Sequence, residues 1–189
     1  SGYTGSELVK LAILHPFIDV IFLSSERYAG RSINNIFPHF QGMKLPKLSQ
    51  IDSLFDQDLG LDVIFCCLPH STSQKIIKKI FEEVKFKQKT RVIDLSADFR
   101  ISNPKSYEKI YGQEHIAQLL QEKAVYGLTE VYRSKIKDSD LVACPGCYPT
   151  AVLLPIIPLL EDGLIESDNI LIDAKSGVTG AGRTLSEKN

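Results

Sequence analysis

The chain has 189 residues, 43% of them hydrophobic and 24% charged, which suits a globular protein and excludes disordered, collagenous and disulfide-miniprotein classes. Lys plus Arg (22) and Asp plus Glu (23) nearly cancel to a net charge of −1, so no global field draws in nucleic acid or an anionic membrane surface. The longest apolar run, Ala151 to Leu160, contains Pro155 and Pro158 and stops well short of the roughly 20 residues that span a bilayer, so it reads as a buried segment. At roughly 150 residues per domain, the length predicts one full domain and part of a second. The opening inside a glycine turn without an initiator Met, and the stop at Ser186-Glu187-Lys188-Asn189, predict a fragment. Cysteines in two close pairs, with no regular framework and no visible secretory signal, fit a reducing cytoplasm.

Helix-like and strand-like segments alternate, as in a doubly wound α/β domain with a mainly parallel sheet. The spacing of Leu8, Leu11, Ala12 and Ile13 predicts a helix over Tyr3 to Leu14, ended by His15-Pro16 because the residue before proline avoids the α region. Asp19 to Leu23 reads as a short strand, and 26–55 as a long connection with at most short elements, marked by Gly30, Pro38, Gly42 and Pro46. Asp62 to Leu68 is a second strand, Thr72 to Val84 a helix carrying Ile76, Ile77 and Ile80, and Arg91 to Leu95 a third strand. Leu141 to Ala143 and Asn169 to Ala174 are further strands, separated by an apolar helix from about Tyr148 to Leu160. The organisation predicted is a nucleotide-binding domain over 1–146, its first strand missing, and the beginning of a second domain over 147–189.

Ser1-Gly2-Tyr3-Thr4-Gly5 runs directly into the first helix, as does the second half of a dinucleotide-binding turn, where glycines let the backbone approach a pyrophosphate and free N–H groups meet it. A plain tight turn also fits two glycines three apart. About 20 residues on, where such folds read the ribose 2′ position, stands Ser24-Ser25-Glu26-Arg27. Ser25 and Arg27 suit a 2′-phosphate and hence NADP over NAD, although Glu26 opposes that and Arg27 is equally readable as a surface charge. Cys66-Cys67-Leu68-Pro69-His70-Ser71 sits where a strand passes into a helix, so Pro69 and Ser71 are cofactor candidates. There Ser71 or Thr72 can cap the helix and leave its amides facing a bound group. Cys66 and Cys67 read as core thiols, and His70 as a structural or solvated histidine.

Cys144-Pro145-Gly146-Cys147-Tyr148-Pro149-Thr150 is the most informative segment, placing Cys147 after a strand and a glycine turn at the start of an apolar helix. A helix N-terminus favours thiolate over thiol, which makes Cys147 a candidate nucleophile. The C-x-x-C spacing also admits a redox pair or two inert thiols, whereas a zinc site needs about four ligands. Ser176-Gly177-Val178-Thr179-Gly180-Ala181-Gly182-Arg183 reads either as an amide-rich loop lining a nicotinamide or substrate, with Gly177 and Gly180 in contact, or as a linker.

Taken together, S-G-Y-T-G at the start, D-L-S-A-D-F-R at Asp94 to Arg100, Y-G-L-T-E at Tyr126 to Glu130, P-G-C-Y-P-T at Pro145 to Thr150 and S-G-V-T-G-A-G-R at Ser176 to Arg183 resemble the N-acetyl-γ-glutamyl-phosphate reductases. P-G-C-Y-P-T is the specific part, since the glycine turn alone would also fit aspartate-semialdehyde dehydrogenases. The resemblance implies a Rossmann-like NADP-binding domain followed by an α+β catalytic and oligomerisation domain. It also implies a cytoplasmic NADP(H)-dependent enzyme of arginine biosynthesis, a homo-oligomer when full-length. Its partners would be an acyl phosphate and inorganic phosphate, with no metal. It further implies Cys147 as nucleophile forming a thioester, Arg100 holding the substrate phosphate, and Glu130 shaping the substrate site. For Arg100 a salt bridge to Asp98, and for Glu130 a helix-dipole role, are the structural alternatives. None of His15, His39, His70 and His115 matches the general-base motif of these reductases, which is expected beyond Asn189. Related substrates such as aspartyl phosphate or an aminoadipate derivative, and an inactive NADP-binding module, are the competing readings.

Overall fold

The computed structural model describes residues 2–84 and 90–182, so Ser1, Arg183 and Ser186 to Asn189 lie outside the described residues. Those residues form two compact units, one holding 2–60, 83–84 and 176–182 and the other 61–82 and 90–175.

In the first unit, helix α1 (Tyr3–Leu14) buries Ser6, Val9 and Ala12, three apart on one face, and ends at His15, whose extended backbone precedes Pro16. Strands β1 (Leu23–Ser24) and β2 (Leu48–Ser49) pair in parallel, Leu23 beside Leu48 and Ser24 beside Ser49. The core is Val9 of α1 with Ile33, Phe37 and Phe40, against which Ile13, Leu23, Ile36 and Leu45 pack. Between the strands run only short 3-10 turns at Ile33–Asn35 and Pro38–Phe40, with another at Ile51–Leu54, as the long connection predicts. The strand expected over Asp19 to Leu23 is corrected: pairing is confined to Leu23 and Ser24, because the partner offers a ladder only two residues long.

The second unit contains β3 (Val63–Cys66), α2 (Ser73–Glu83), β4 (Arg91–Asp94), α3 (Pro104–Tyr111), α4 (Gln118–Lys123), β5 (Val125–Tyr126), α5 (Thr129–Lys137), β6 (Leu141–Ala143) and α6 (Cys147–Glu161). The sheet is parallel throughout, in the order β3-β4-β6-β5, which is the α/β arrangement the alternation predicts. Ile77 and Ile80 of α2 are fully buried, while Lys75 and Lys78 face out. The sequence reading lacks α3, α4 and β5. Helix α3 nevertheless carries a start signal, since the Asn103 side chain accepts the Ser106 N–H at 3.0 Å and Pro104 follows it. Its stop is Gly112 at φ 72°, a left-handed conformation that favours glycine.

Two expectations fail after Cys147. The apolar run Ala151 to Leu160 is helical through Pro155 and Pro158 but not buried: no residue of α6 is, because 162–175 carries no regular element to pack on it. The strand expected over Asn169 to Ala174 is absent, with Asn169 at φ 60° and Leu171 97% exposed, since nothing among the described residues pairs with it. Among the described residues no helix is long and apolar enough to cross a membrane.

Candidate active site

Parallel pairing sets Cys66, Asp94, Ala143 and Tyr126 side by side across the sheet. The chain leaves this edge four times, through Pro69 to Ser71, Leu95 to Arg100, Cys144 to Cys147 and Gly127 to Glu130. Open α/β sheets bind ligands at this carboxyl edge, and the topology gathers Pro69, Ser71, Arg100, Glu130 and Cys147 along it.

D-L-S-A-D-F-R organises the edge. The Asp94 carboxylate accepts the Ser73 hydroxyl at 2.7 Å, the Ser96 N–H at 3.1 Å and the Ser96 hydroxyl at 2.6 Å. Burial raises its pKa above the ordinary 3.8, and those hydrogen bonds oppose the rise. The buried Asp98 carboxylate accepts the Ser71 N–H at 2.9 Å, the Gln74 N–H at 3.1 Å and the Tyr107 hydroxyl at 2.9 Å. Burial, with Asp98 alongside, pushes the Tyr107 phenol up to about 12, so it stays a protonated donor. Ser71, at φ 71°, is held left-handed between this carboxylate and Gln113, whose side-chain N–H donates to the Ser71 hydroxyl at 2.7 Å. The start of α2 is therefore occupied by Asp98, which corrects the expectation that Ser71 or Thr72 leaves those amides facing a bound group. His70 is structural, its Nδ1 accepting the Ala97 N–H at 2.9 Å.

Arg100 does not pair with Asp98. Its Nε donates to the Cys144 carbonyl at 2.7 Å and its Nη2 to the Leu95 carbonyl at 3.2 Å. Cys147 is the first residue of α6 and exposed, with Gly146 as N-cap and no side-chain cap. Thr150 closes the turn, its N–H and its hydroxyl donating to the Gly146 carbonyl at 3.0 and 2.9 Å. Cys144 is half-buried; burial and Asp94 raise its pKa while Arg100 pulls it down. Cys66 is core, its thiol pushed well up by burial and by Asp94. Cys67, expected in the core, is exposed, because successive residues leaving a strand face opposite sides. Glu130 is exposed in the first turn of α5.

The remaining candidates belong to the other unit. Gly2 is the N-cap of α1, with Tyr3, Thr4 and Gly5 in its first turns, no side-chain cap and no acidic residue there. A Cβ at Gly2 would meet nothing within 4 Å among the described residues. Ser25 is buried, and its hydroxyl has no partner among the described residues, an orphan that a nucleotide oxygen would satisfy. Glu26, the residue that opposes a 2′-phosphate, accepts the Ile51 N–H at 2.8 Å and is thus engaged by backbone. The Arg27 guanidinium lies 5.3 Å and that of Arg31 5.9 Å from the Tyr28 ring centroid. Open amides, an orphaned hydroxyl and two guanidinium groups fit a phosphorylated dinucleotide. Gly177 is the N-cap of a 3-10 turn over Val178–Ala181 and Gly180 lies within it, the Gly180 N–H donating to the Gly177 carbonyl at 2.9 Å.

Sequence reasoning misses the work of Asp98, Ser73, Gln74, Tyr107 and Gln113. The available signal is the alternation Asp94, Ser96, Asp98, Arg100 directly after a strand: hydrogen-bonding groups that an α/β interior keeps only when paired.

A family model described as the semialdehyde dehydrogenase NAD binding domain matches residues 1–139, and one described as the semialdehyde dehydrogenase dimerisation domain matches 147–189. The chain is 50% identical over 188 residues to the N-acetyl-gamma-glutamyl-phosphate reductase of Afipia carboxidovorans, covering 100% of this chain and 53% of that protein. It is 50% identical over 190 residues to a probable N-acetyl-gamma-glutamyl-phosphate reductase, chloroplastic, of Arabidopsis thaliana, covering 100% and 45% respectively. With the Rhodospirillum rubrum reductase of the same name the identity is 48% over 187 residues, covering 99% and 52%. The chain thus spans about half the length of the curated relatives it matches.

Proposed function

The chain belongs to the semialdehyde dehydrogenase family, and from that premise we propose that its complete protein reduces N-acetyl-γ-glutamyl phosphate to N-acetylglutamate 5-semialdehyde with NADPH, releasing inorganic phosphate, in the cytoplasmic arm of arginine biosynthesis. The observation that carries the reading is Cys147, exposed as the first residue of α6 at the carboxyl edge of the sheet, within P-G-C-Y-P-T. Identity of about half to reductases of that name supports the substrate.

Cys147 Sγ attacks the acyl carbon, the carbon–oxygen bond to phosphate breaks, and phosphate leaves with the electron pair, giving a thioester on Cys147. Arg100 spends two N–H groups on backbone carbonyls, and its remaining donors face the phosphate as it departs. Glu130 shapes the substrate site. NADPH, when bound, supplies the hydride that reduces the thioester carbon. Cys147 is then expelled as thiolate when the thiohemiacetal collapses to the aldehyde. Gly2, Tyr3, Thr4 and Gly5 hold the pyrophosphate, and Ser25 and Arg27 the 2′-phosphate. Pro69 and Ser71, and separately Gly177 and Gly180, give further cofactor contacts. The boundary near 147 separates the NADP-binding domain from the beginning of a catalytic domain through which the complete protein forms a homo-oligomer.

The test is phosphate-dependent reduction of NADP by the complete gene product with N-acetylglutamate semialdehyde, beside aspartate semialdehyde and the variants Cys147→Ser and Cys144→Ser. Activity with the first aldehyde, abolished in Cys147→Ser and kept in Cys144→Ser, is expected. Activity with aspartate semialdehyde alone would replace the substrate, and nucleotide binding without turnover would reduce the protein to a binding module.

A further inference from the structure

Glycine at 146 is not explained by its backbone. At φ −71° and ψ 160° it is extended, a conformation open to any residue. What a side chain would press on is Arg100 together with Pro149: a Cβ on Gly146 would lie 3.2 Å from Arg100 Nη1 and 3.3 Å from Pro149 Cδ, close enough that the guanidinium or the ring must give way by a few tenths of an ångström. The guanidinium thus lies against bare backbone one residue before Cys147.

That same guanidinium fixes the start of the turn. The Cys144 N–H donates to the Asp94 carbonyl at 2.7 Å, continuing the sheet, and the Cys144 carbonyl accepts from Arg100 Nε at 2.7 Å. Both peptide groups of Cys144 are thereby tied to the β4 side of the sheet. Beyond it stand only Pro145, whose ring fixes φ, and Gly146, against which Arg100 packs. Arg100 is itself anchored through Nη2 to the Leu95 carbonyl at 3.2 Å. Its planar fork therefore spans from the end of β4 to the residue before α6, a geometry that a single ammonium cannot reproduce.

We infer that Arg100 is a positioning residue for Cys147: through the Cys144 carbonyl and the bare backbone of Gly146 it sets where α6 begins and where the thiol stands. The inference rests on the reading of Cys147 as nucleophile. It differs from the phosphate role, because a phosphate contact acts only when substrate is bound, whereas positioning acts in the free protein.

The experiment alkylates the complete gene product with iodoacetamide, without nucleotide or acyl phosphate, and reads labelling of Cys147 against Cys144 by mass spectrometry. Wild type is compared with Arg100→Lys, Arg100→Gln and Gly146→Ala. Each variant is expected to shift labelling from Cys147 toward Cys144. The two Arg100 variants, which remove the donor fork from the Cys144 carbonyl, should lower kcat by roughly 100-fold, the scale of an ångström-sized misplacement, and Gly146→Ala, which shifts the fork less, should lower it by a smaller factor. Gly146→Ala keeps the charge and displaces the fork, so it should lower kcat with KM for phosphate altered by less than about twofold. Unchanged labelling in Arg100→Lys or in Gly146→Ala would overturn the inference; should Arg100→Gln be insoluble, those two variants decide it. Full activity in Cys147→Ser would instead remove the nucleophile reading, while the labelling comparison still reports what Arg100 does to the turn.

Discussion

Helices α1 and α2 both follow a turn that reads as anion-facing, yet their N-termini are in opposite states. At α1 the cap is Gly2, with no acidic residue in the first turn and, among the described residues, no side-chain acceptor and open space where a Cβ would be. At α2 the carboxylate of Asp98 already accepts the N–H groups of Ser71 and Gln74. An uncapped start keeps its partial positive charge for a ligand, whereas a start capped by a buried carboxylate has given it to the fold. On the proposed function this difference makes α1 the binding helix and α2 the scaffolding one, and it predicts opposite responses to substitution.

The largest effect falls on the scaffolding end. Asp98→Ala leaves three donors without their acceptor, two of them buried, and should destabilise the protein by about 3 kcal/mol in urea unfolding. A loss under about 1 kcal/mol would mean that water replaces the carboxylate and that α2 is no better satisfied than α1.

Next comes the conversion of one end into the other. Gly2→Asp places a carboxylate at the α1 cap, where side-chain capping typically adds about 1 kcal/mol of stability. The same carboxylate should weaken NADPH binding at least about tenfold by occupying the amides and repelling phosphate. Opposite signs for stability and affinity, read by urea unfolding and by nucleotide titration, mark a functional N-terminus. Weaker binding together with lower stability would mark a merely structural glycine.

Tyr107→Phe is smaller. It removes the hydroxyl that donates to Asp98 at 2.9 Å and accepts from Gln113 Nε2 at 3.0 Å, but leaves Asp98 with both backbone N–H groups. A loss of about 1 kcal/mol is expected, measured in the same way. A loss as large as that of Asp98→Ala would show that the phenol, and not the carboxylate, holds the start of α2.

The same contrast explains what was legible beforehand. Helix α1, strands β3, β4 and β6 and helix α6 follow from apolar periodicity and punctuation, which are local properties. The edge gathering Pro69, Arg100, Glu130 and Cys147 follows from strand order in a parallel sheet, also readable by rule. The occupant of the α2 amides was not legible, because Asp98 lies 24 positions beyond Gln74 and only folding brings them together. Likewise only part of what crowds Gly146 is local, since Pro149 belongs to the same turn while Arg100 is brought there by the fold. The strand at Asn169 to Ala174 failed for the converse reason: its residues have strand composition, and no ladder among the described residues receives them.

The smallest expected effect tests how closed the scaffolding region is. His115 is buried with its ring edge-on to Phe99 and Tyr107 at centroid distances of 5.0 and 4.9 Å, and its Nδ1 accepts the Ala117 N–H at 3.1 Å. Burial lowers its pKa below the ordinary 6.5, although Asp98 pulls the other way. The unfolded chain therefore binds this proton more readily than the folded one, so the contribution is complete above 6.5 and is lost as pH falls through 6.5 toward the lower folded value. Asp94, with its pKa raised, contributes in the opposite sense, favouring the folded state at low pH and losing that advantage as pH rises above 3.8. Comparing wild type with His115→Gln cancels Asp94, which both proteins share. Between about pH 7.5 and pH 5.5 the wild type should lose up to roughly 1 kcal/mol more than the variant in urea unfolding. Equal losses would mean that the imidazole binds its proton as readily folded as unfolded, and hence that Asp98 offsets the cost of its burial.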